Sequence, residues 1–332
     1  MTFLTFRVIF LTAVFALAAN PVCFWLAKTM NLMDVPGSAP HKLHHHTMPL
    51  AGGLAILISI FASGLVFGAL PSAWPLLIPS LLVFLFGLAD DFWGLSAPWK
   101  LLGQISGALL LIQFGVHIRL FQQNWINFGL TLMWMVGITN AYNFVDSMDG
   151  LATGLAGMAA AFFMLVTYDS LQLDLSLVSA VLLGACIGIF YFTASPAKFF
   201  LGDAGSQFLG FLLAGLAIAY NPLGFLRIQS WFVPILLVGV PIFDTTLVVF
   251  SRLRRRKPVY RSGLDHTYHR LVALGIDSNR AVMTMHFSAL LLGCLAFIAL
   301  SLSPWLANTI FGLCVITGVL GILFLDRRSQ WP

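Results

Sequence analysis

Apolar residues run along this chain in long blocks separated by short polar breaks, and the blocks repeatedly reach the ~20 residues that a helix needs to cross a bilayer. They predict about eleven spans, near 3–26, 50–70, 75–89, 99–115, 127–145, 150–168, 175–194, 205–220, 231–251, 281–301 and 305–325. In lipid every backbone polar group must be satisfied within its own helix. The expected fold is therefore an all-α polytopic membrane protein, with residues 1–332 forming one integral-membrane domain. The first block contains "ALAAN", which has the look of a cleavage site, but its charge-poor start and the blocks behind it predict an uncleaved helix. One break is unusually rich: "TNAYNFVDSMDGLATG", residues 139–154, places Asn140, Asn143, Asp146 and Asp149 directly after the apolar run "LTLMWMVGI".

Charge orients the bundle. With the N-terminus outside, the inner loops and tail hold Lys28, Lys42, Lys100, Lys198, Arg252, Arg254, Arg255, Arg256, Lys257, Arg261, Arg270, Arg280, Arg327 and Arg328. Of the 17 basic residues only Arg7, Arg119 and Arg227 are then left outside, the asymmetry required of a cytoplasmic face. The net charge of +5 thus reads as topology and contact with anionic headgroups, with no call for nucleic acid. The cysteines Cys23, Cys186, Cys294 and Cys314 lie in apolar runs without CxxC spacing, which predicts core filling and neither zinc nor a disulfide framework.

The acids fall on the same side. All 12 acidic residues are Asp, and only Asp169 and Asp174 are placed outside. Asp90 and Asp91 end the third span, Asp146 and Asp149 follow the fifth, Asp203 follows the seventh, and Asp265 with His266 and His269 follows the ninth. Carboxylates gathered from four loops repel one another unless a cation or basic side chains sit among them. In "FFLGDAGSQFLG", 199–210, Gly202 and Gly205 allow a tight turn that presents amide donors to a phosphate, while Asp203 offers a hard oxygen ligand. Mg²⁺, with Mn²⁺ as an alternative, suits such a site because it binds one or two carboxylates together with substrate phosphates. Lys100 and the basic loop at Arg261 are expected to neutralise the remaining charge. The triple His at 44–46 reads as a solvated loop, since three adjacent residues cannot share one helical face. Asp244, inside the ninth block and two turns from Arg252, is expected to pair within the bundle or line a hydrated cleft.

These motifs resemble those of the polyprenyl-phosphate N-acetylhexosamine-1-phosphate transferases, the family that includes phospho-N-acetylmuramoyl-pentapeptide translocase. The likeness runs in order through "HKLHHHTMPLAGGLAI", "FGLADD", "NAYNFVDSMDGLATG", "FLGDAGSQFLGF" and "DHTYHRL". It implies Mg²⁺-dependent transfer of a sugar 1-phosphate from a UDP-amino sugar to a polyprenyl phosphate, with release of UMP, in the plasma (inner) membrane. By motif, Asp90 and Asp91 match the aspartate pair that activates the lipid phosphate or contacts metal. Asn143 and Asp146 match the polar pair of the Asn-rich motif, Asp203 the metal-ligating aspartate, and His266 and His269 the histidine loop near the donor. Asn140, Asp149, Lys100, Arg261 and Arg270 are the expected substrate-binding residues, and a homodimer is left open.

The chain departs from the family pattern at two positions. Asp146-Ser147 stands where Asp-Gly is usual, and Tyr268 replaces the middle His of His-x-His-His. These departures bear on the sugar, with UDP-N-acetylglucosamine as the default donor. From another class, a transporter or cation channel would need ionisable groups near mid-membrane in both halves, and Asp244 alone qualifies. A two-metal phosphatidyl-alcohol transferase would need an Asp-Gly-x-x-Ala-Arg signature, which is missing.

Overall fold

The computed structural model describes residues 3–36, 46–68, 70–222, 225, 227–259 and 263–328. Its helices are α1 (Phe3–Thr29), α2 (Gly52–Phe67), α3 (Leu70–Trp93), α4 (Ala97–Gln113), α5 (Asn124–Val145), α6 (Leu151–Asp169) and α7 (Leu173–Thr193). They continue with α8 (Gly202–Ala219), α9 (Arg227–Ser230), α10 (Val233–Leu237), α11 (Gly239–Arg254), α12 (Thr267–Ala273), α13 (Ser278–Leu300) and α14 (Pro304–Arg328).

The protein is a helical, polytopic membrane bundle. Among the described residues, seven helices are long and apolar enough to cross a membrane, or up to eight if one bent pair counts as a span. Helices stand at all the predicted positions, but α2 has 16 residues, α4 has 17, and α5 carries Asn124, Asn127, Asn140 and Asn143, so length or polarity keeps these three below that standard. The ninth predicted span, expected to be continuous over 231–251, is broken by a 71° bend between the α9–α10 segment and α11. Pro241 explains the break: it has no N–H for the Leu237 carbonyl, and its ring would clash there.

At the centre lies α8, whose residues Ala204 to Ala217 are all buried. A helix apolar on every side is a core helix, and α2, α3 and α5 pack around this one. Small residues let the backbones approach. A Cβ at Gly53 would lie 2.6 Å from the Gly205 nitrogen, and one at Gly87 would lie 2.7 Å from the Ala204 Cα. Gly205 therefore serves helix contact, not the tight turn expected of it.

Two short strands also depart from the purely helical expectation. β1 (Met33–Asp34) pairs antiparallel with β2 (Met48–Pro49), and Leu50 then bridges to Phe200. The amides of Gly52 and Gly53 donate to the Phe200 and Leu201 carbonyls, both at 3.0 Å, which seats the "MPLAGG" segment beside the start of α8. Large apolar side chains such as Phe3, Leu65, Trp125 and Trp305 cover the outside, as on a surface facing lipid. Cys23 and Cys186 fill the core as expected, but Cys294 is exposed and Cys314 only half-buried.

Candidate active site

Three helix ends and one loop converge at the N-terminus of α8. The first turn of a helix leaves N–H groups without intrahelical partners and carries partial positive charge. Asp91, at the end of α3, meets both needs: its Oδ1 accepts from the Asp203 amide at 2.7 Å and its Oδ2 from the Ala204 amide at 3.0 Å. Gly202 is required beside it, because its φ is +74° and a Cβ would lie 2.6 Å from Asp91 Oδ2. This corrects the expectation that the loop offers those amides to a phosphate; they are taken by a side chain. Each Asp91 oxygen keeps a second lone pair, so metal contact is not blocked.

Around this cap the polar groups form one network. Lys100, in the first turn of α4, pairs with Asp90 and lies 2.6 Å from Asp203 Oδ2. Asn143 donates through Nδ2 to Asp203 Oδ1 and to Ser206 Oγ, the latter at 3.0 Å. Asp146, just beyond α5, is half-buried. Burial first, then the charges of Asp203 and Asp91, hold its carboxyl well above the usual carboxylate range. Two of these acids, Asp90 and Asp203, thus share one ammonium group, and Asp91 and Asp146 stand next to them. Among the described residues no three His, Cys or Asp side chains form a ready cage for a metal. The donor set still fits Mg²⁺, which takes few protein oxygens and fills its shell with water and phosphate.

The histidine loop reaches this network through α5, where the Phe144 ring lies 6.0 Å from that of His266. His266 Nδ1 lies 2.7 Å from Asp244 Oδ2, and the Thr267 amide donates to Asp244 Oδ1 at 2.6 Å. A carboxylate only accepts, so Nδ1 carries the proton of this bond and Nε2 is the ring nitrogen left for another partner. Asp244 is therefore paired within the bundle, with the histidine loop and not with Arg252. It gives no support to an ion pathway. Arg252 instead grips Asp265 with two bonds, Nε to Oδ2 at 2.8 Å and NH2 to Oδ1 at 2.6 Å. Burial alone would raise the Asp265 carboxyl, but this guanidinium outweighs it and holds the group below its ordinary range. The His266 and His269 rings are 5.8 Å apart.

The other residues expected to bind substrate have protein partners of their own. Arg270 is fully buried; its Nε donates to the Asp265 carbonyl at 2.8 Å and its NH1 lies 3.5 Å from Asp326, which ties α12 to α14. Asp326 also holds Arg254 at 2.7 Å and Arg255 at 3.2 Å. Asn140 belongs to an amide relay: its Nδ2 donates to Gln104 Oε1 at 2.7 Å, and Gln104 Nε2 donates to Gln207 Oε1 at 3.0 Å. That relay ties α4, α5 and α8 together. Asp149 accepts from the Ala197 amide at 3.0 Å and braces the loop before α8. Arg261 and residues 44 and 45 lie outside the described residues. Gln104, Gln207, Ser206 and Asp326 escaped the sequence reading, although a Gln inside an apolar helix was a usable signal.

The chain is similar in sequence to known proteins over most of its length. Residues 73–221 match the family model described as glycosyl transferase family 4. A Bacillus subtilis protein named "Probable undecaprenyl-phosphate N-acetylglucosaminyl 1-phosphate transferase" is 29% identical, over 90% of this chain and 86% of its own length. The decaprenyl-phosphate N-acetylglucosaminephosphotransferase of Mycobacterium leprae is 32% identical, over 87% of this chain and 82% of its own. The phospho-N-acetylmuramoyl-pentapeptide-transferase of Enterococcus hirae is 31% identical, over 69% and 76%. With the matched segment running from α3 to the end of α8, and with relatives of this kind matched over 76–86% of their own length, the chain belongs to glycosyl transferase family 4, the polyprenyl-phosphate N-acetylhexosamine-1-phosphate transferases.

Proposed function

We propose that the protein transfers N-acetylhexosamine 1-phosphate, with UDP-N-acetylglucosamine as donor, to a polyprenyl phosphate, forming a lipid-linked sugar pyrophosphate and UMP. One observation carries this beyond family membership: Asp90 and Asp203 share a single lysine at the end of a membrane bundle, with Asp91 capping the Asp203 amide and Asp146 beside both Asp203 and Asp91. Such an excess of negative charge suits a site completed by a divalent cation and two phosphate-bearing substrates. Bound there through Asp203 and Asp91, Mg²⁺ would offset the charge on the reacting phosphates.

The chain's own groups do the rest. Lys100 is held between Asp90 and Asp203, so its ammonium is fixed before substrate arrives. Asn143 orients Asp203 without adding charge. The acceptor phosphate oxygen attacks the phosphorus that bears the sugar, and the bond from that phosphorus to the UMP oxygen breaks. His266, its Nδ1 committed to Asp244, presents Nε2 on the donor side, with His269 beside it. The placement of the basic residues supports a cytoplasmic active site, an outer N-terminus and about eleven crossings of the plasma membrane.

Detergent-purified protein given Mg²⁺, undecaprenyl phosphate and UDP-N-acetylglucosamine is expected to form UMP and a lipid-linked sugar pyrophosphate, and added UMP to reverse the reaction. Removal of the cation by EDTA should stop it. Release of UDP with a lipid-linked sugar lacking the second phosphate would make the protein an ordinary glycosyltransferase and overturn the proposal.

A further inference from the structure

Lys100, Asp203 and Asn143, linked through the Asp203 carboxylate, lie on α4, α8 and α5, and each has an amide side chain one helical turn deeper in the bundle. Lys100 is followed four residues on by Gln104 and Asp203 four residues on by Gln207, while Asn143 is preceded three residues back by Asn140. Residues so spaced share a helix face and stand about 4.5–6 Å apart along the axis. The deeper layer repeats the contact of the charged one: α4 meets α8 through Lys100 with Asp203, and again through Gln104 with Gln207.

One carbonyl sets the orientation of the amides. Asn140 Nδ2 donates to the Val136 carbonyl at 2.8 Å, and a carbonyl only accepts, so the nitrogen end of this amide is fixed. Its second hydrogen goes to Gln104 Oε1 at 2.7 Å, which leaves Gln104 Nε2 to donate to Asn140 Oδ1 at 3.3 Å and to Gln207 Oε1 at 3.0 Å. Gln104 and Gln207 are almost fully buried, and Gln104 has its oxygen and both hydrogens engaged. Deeper still, α4 meets its neighbours through small and apolar groups, where a Cβ at Gly107 would lie 2.7 Å from Val83 Cγ2 and 3.1 Å from the Phe211 ring. Apolar contact of that kind has no preferred direction, whereas a hydrogen bond fails beyond about 3.5 Å or at a poor angle.

We propose that Gln104, Gln207 and Asn140 are positioning residues for the transfer reaction: their amide layer fixes the rotation and depth of α4, α5 and α8, and so aims Lys100, Asn143 and Asp203 at one another from the turn beneath. A satisfied buried network resists both sliding and twisting of the helices that carry it. Being neutral, it does so without adding to the negative charge of the site. The inference deepens the function proposed above and rests on it only for its kinetic consequence.

Gln104→Met keeps the length of the side chain and removes its hydrogen bonds. It is expected to lower kcat about tenfold, the scale of one buried hydrogen bond, and to lower the melting temperature, because Asn140 and Gln207 lose their partner. In the triple variant Gln104→Met, Gln207→Met, Asn140→Leu no amide is left stranded, so the melting temperature should return toward the wild-type value while kcat stays down. A network that served stability alone would regain rate together with stability; that outcome, or wild-type kcat in Gln104→Met, would overturn the proposal. A second measurement depends neither on turnover nor on the triple variant. Lys100, held between Asp90 and Asp203, should be acetylated by acetic anhydride several-fold faster in Gln104→Met and in Gln207→Met than in the wild type, read by mass spectrometry against the exposed Lys28 as internal standard. Equal labelling of Lys100 would overturn the proposal even in an active enzyme. If the wild type turns over no UDP-sugar, the proposed function fails, and the labelling of Lys100 alone decides the role of the amide layer.

Discussion

Replacing Asp244 by Asn keeps shape and volume but sets the two bonds at this side chain against each other. Asp244 is almost fully buried and accepts from both the Thr267 amide, at 2.6 Å, and His266 Nδ1, at 2.7 Å. Asparagine has one accepting oxygen. With that oxygen on Thr267, its NH₂ faces His266 and drives the imidazole proton to Nε2, which removes the acceptor from the donor side. With the amide flipped, His266 keeps its tautomer, but the Thr267 N–H is left facing an NH₂ group. A buried donor without a partner costs roughly 1–3 kcal/mol, so the productive arrangement falls by about 5- to 160-fold. Asp244→Asn is therefore expected to lower kcat within that range, read as UMP release at saturating donor and lipid, while the melting temperature in detergent stays close to that of the wild type. Asp244→Ala leaves both donors unpaired and should lose stability as well. Turnover of Asp244→Asn within about twofold of the wild type, below the weakest loss calculated, would show that the His266 tautomer does not govern the rate.

Asp203→Asn should abolish UMP formation without unfolding the protein, since an amide of the same shape is a poor Mg²⁺ ligand; a rate above about a tenth of wild type would remove Asp203 from the metal shell. Arg270→Ala should lower the melting temperature while leaving the donor KM of the folded fraction unchanged, because Arg270 joins α12 to Asp326 and not to substrate; a raised donor KM with unchanged melting would count against that. Asp265 has its carboxyl lowered by Arg252, so its stabilising part is present above the unfolded value near 4 and is lost as pH falls through the folded value. Arg252→Gln should thus reduce stability at neutral pH and flatten its decline in acid below about pH 4, measured as melting temperature against pH; a decline as steep as in the wild type would refute the pairing.

The bundle was legible in the sequence because a bilayer imposes a length on every span, and Asp in such a chain is conspicuous. Asp90, Asp91, Asp203 and Asn143 do meet, as their shared place at helix ends suggested. What stayed hidden was partnership. Nothing local to Asp91 says that the amides of Asp203 and Ala204 will come to it, and nothing local to Gly205 distinguishes a turn from contact with Gly53. Arg270 entered the charge count as one more cytoplasmic base, whereas its burial depends on where Asp326 lies, far along the chain. Hydropathy is equally blind to Pro241, which averages into an apolar window while breaking the helix.

The placement of α8 also sets an order of assembly. The chain is made from its N-terminus, so α2, α3 and α5 precede the helix that they enclose. Asp91 and the amide it caps are 112 residues apart, which at about 5–20 residues per second is roughly 6–22 s of synthesis. For that interval the slot between the earlier helices stands open, and the Asp91 carboxyl must be served by water or by a proton. The carboxylate cluster comes into being only when α8 packs against Gly53 and Gly87, and the histidine loop with Asp244 of α11 is added to it later still in synthesis.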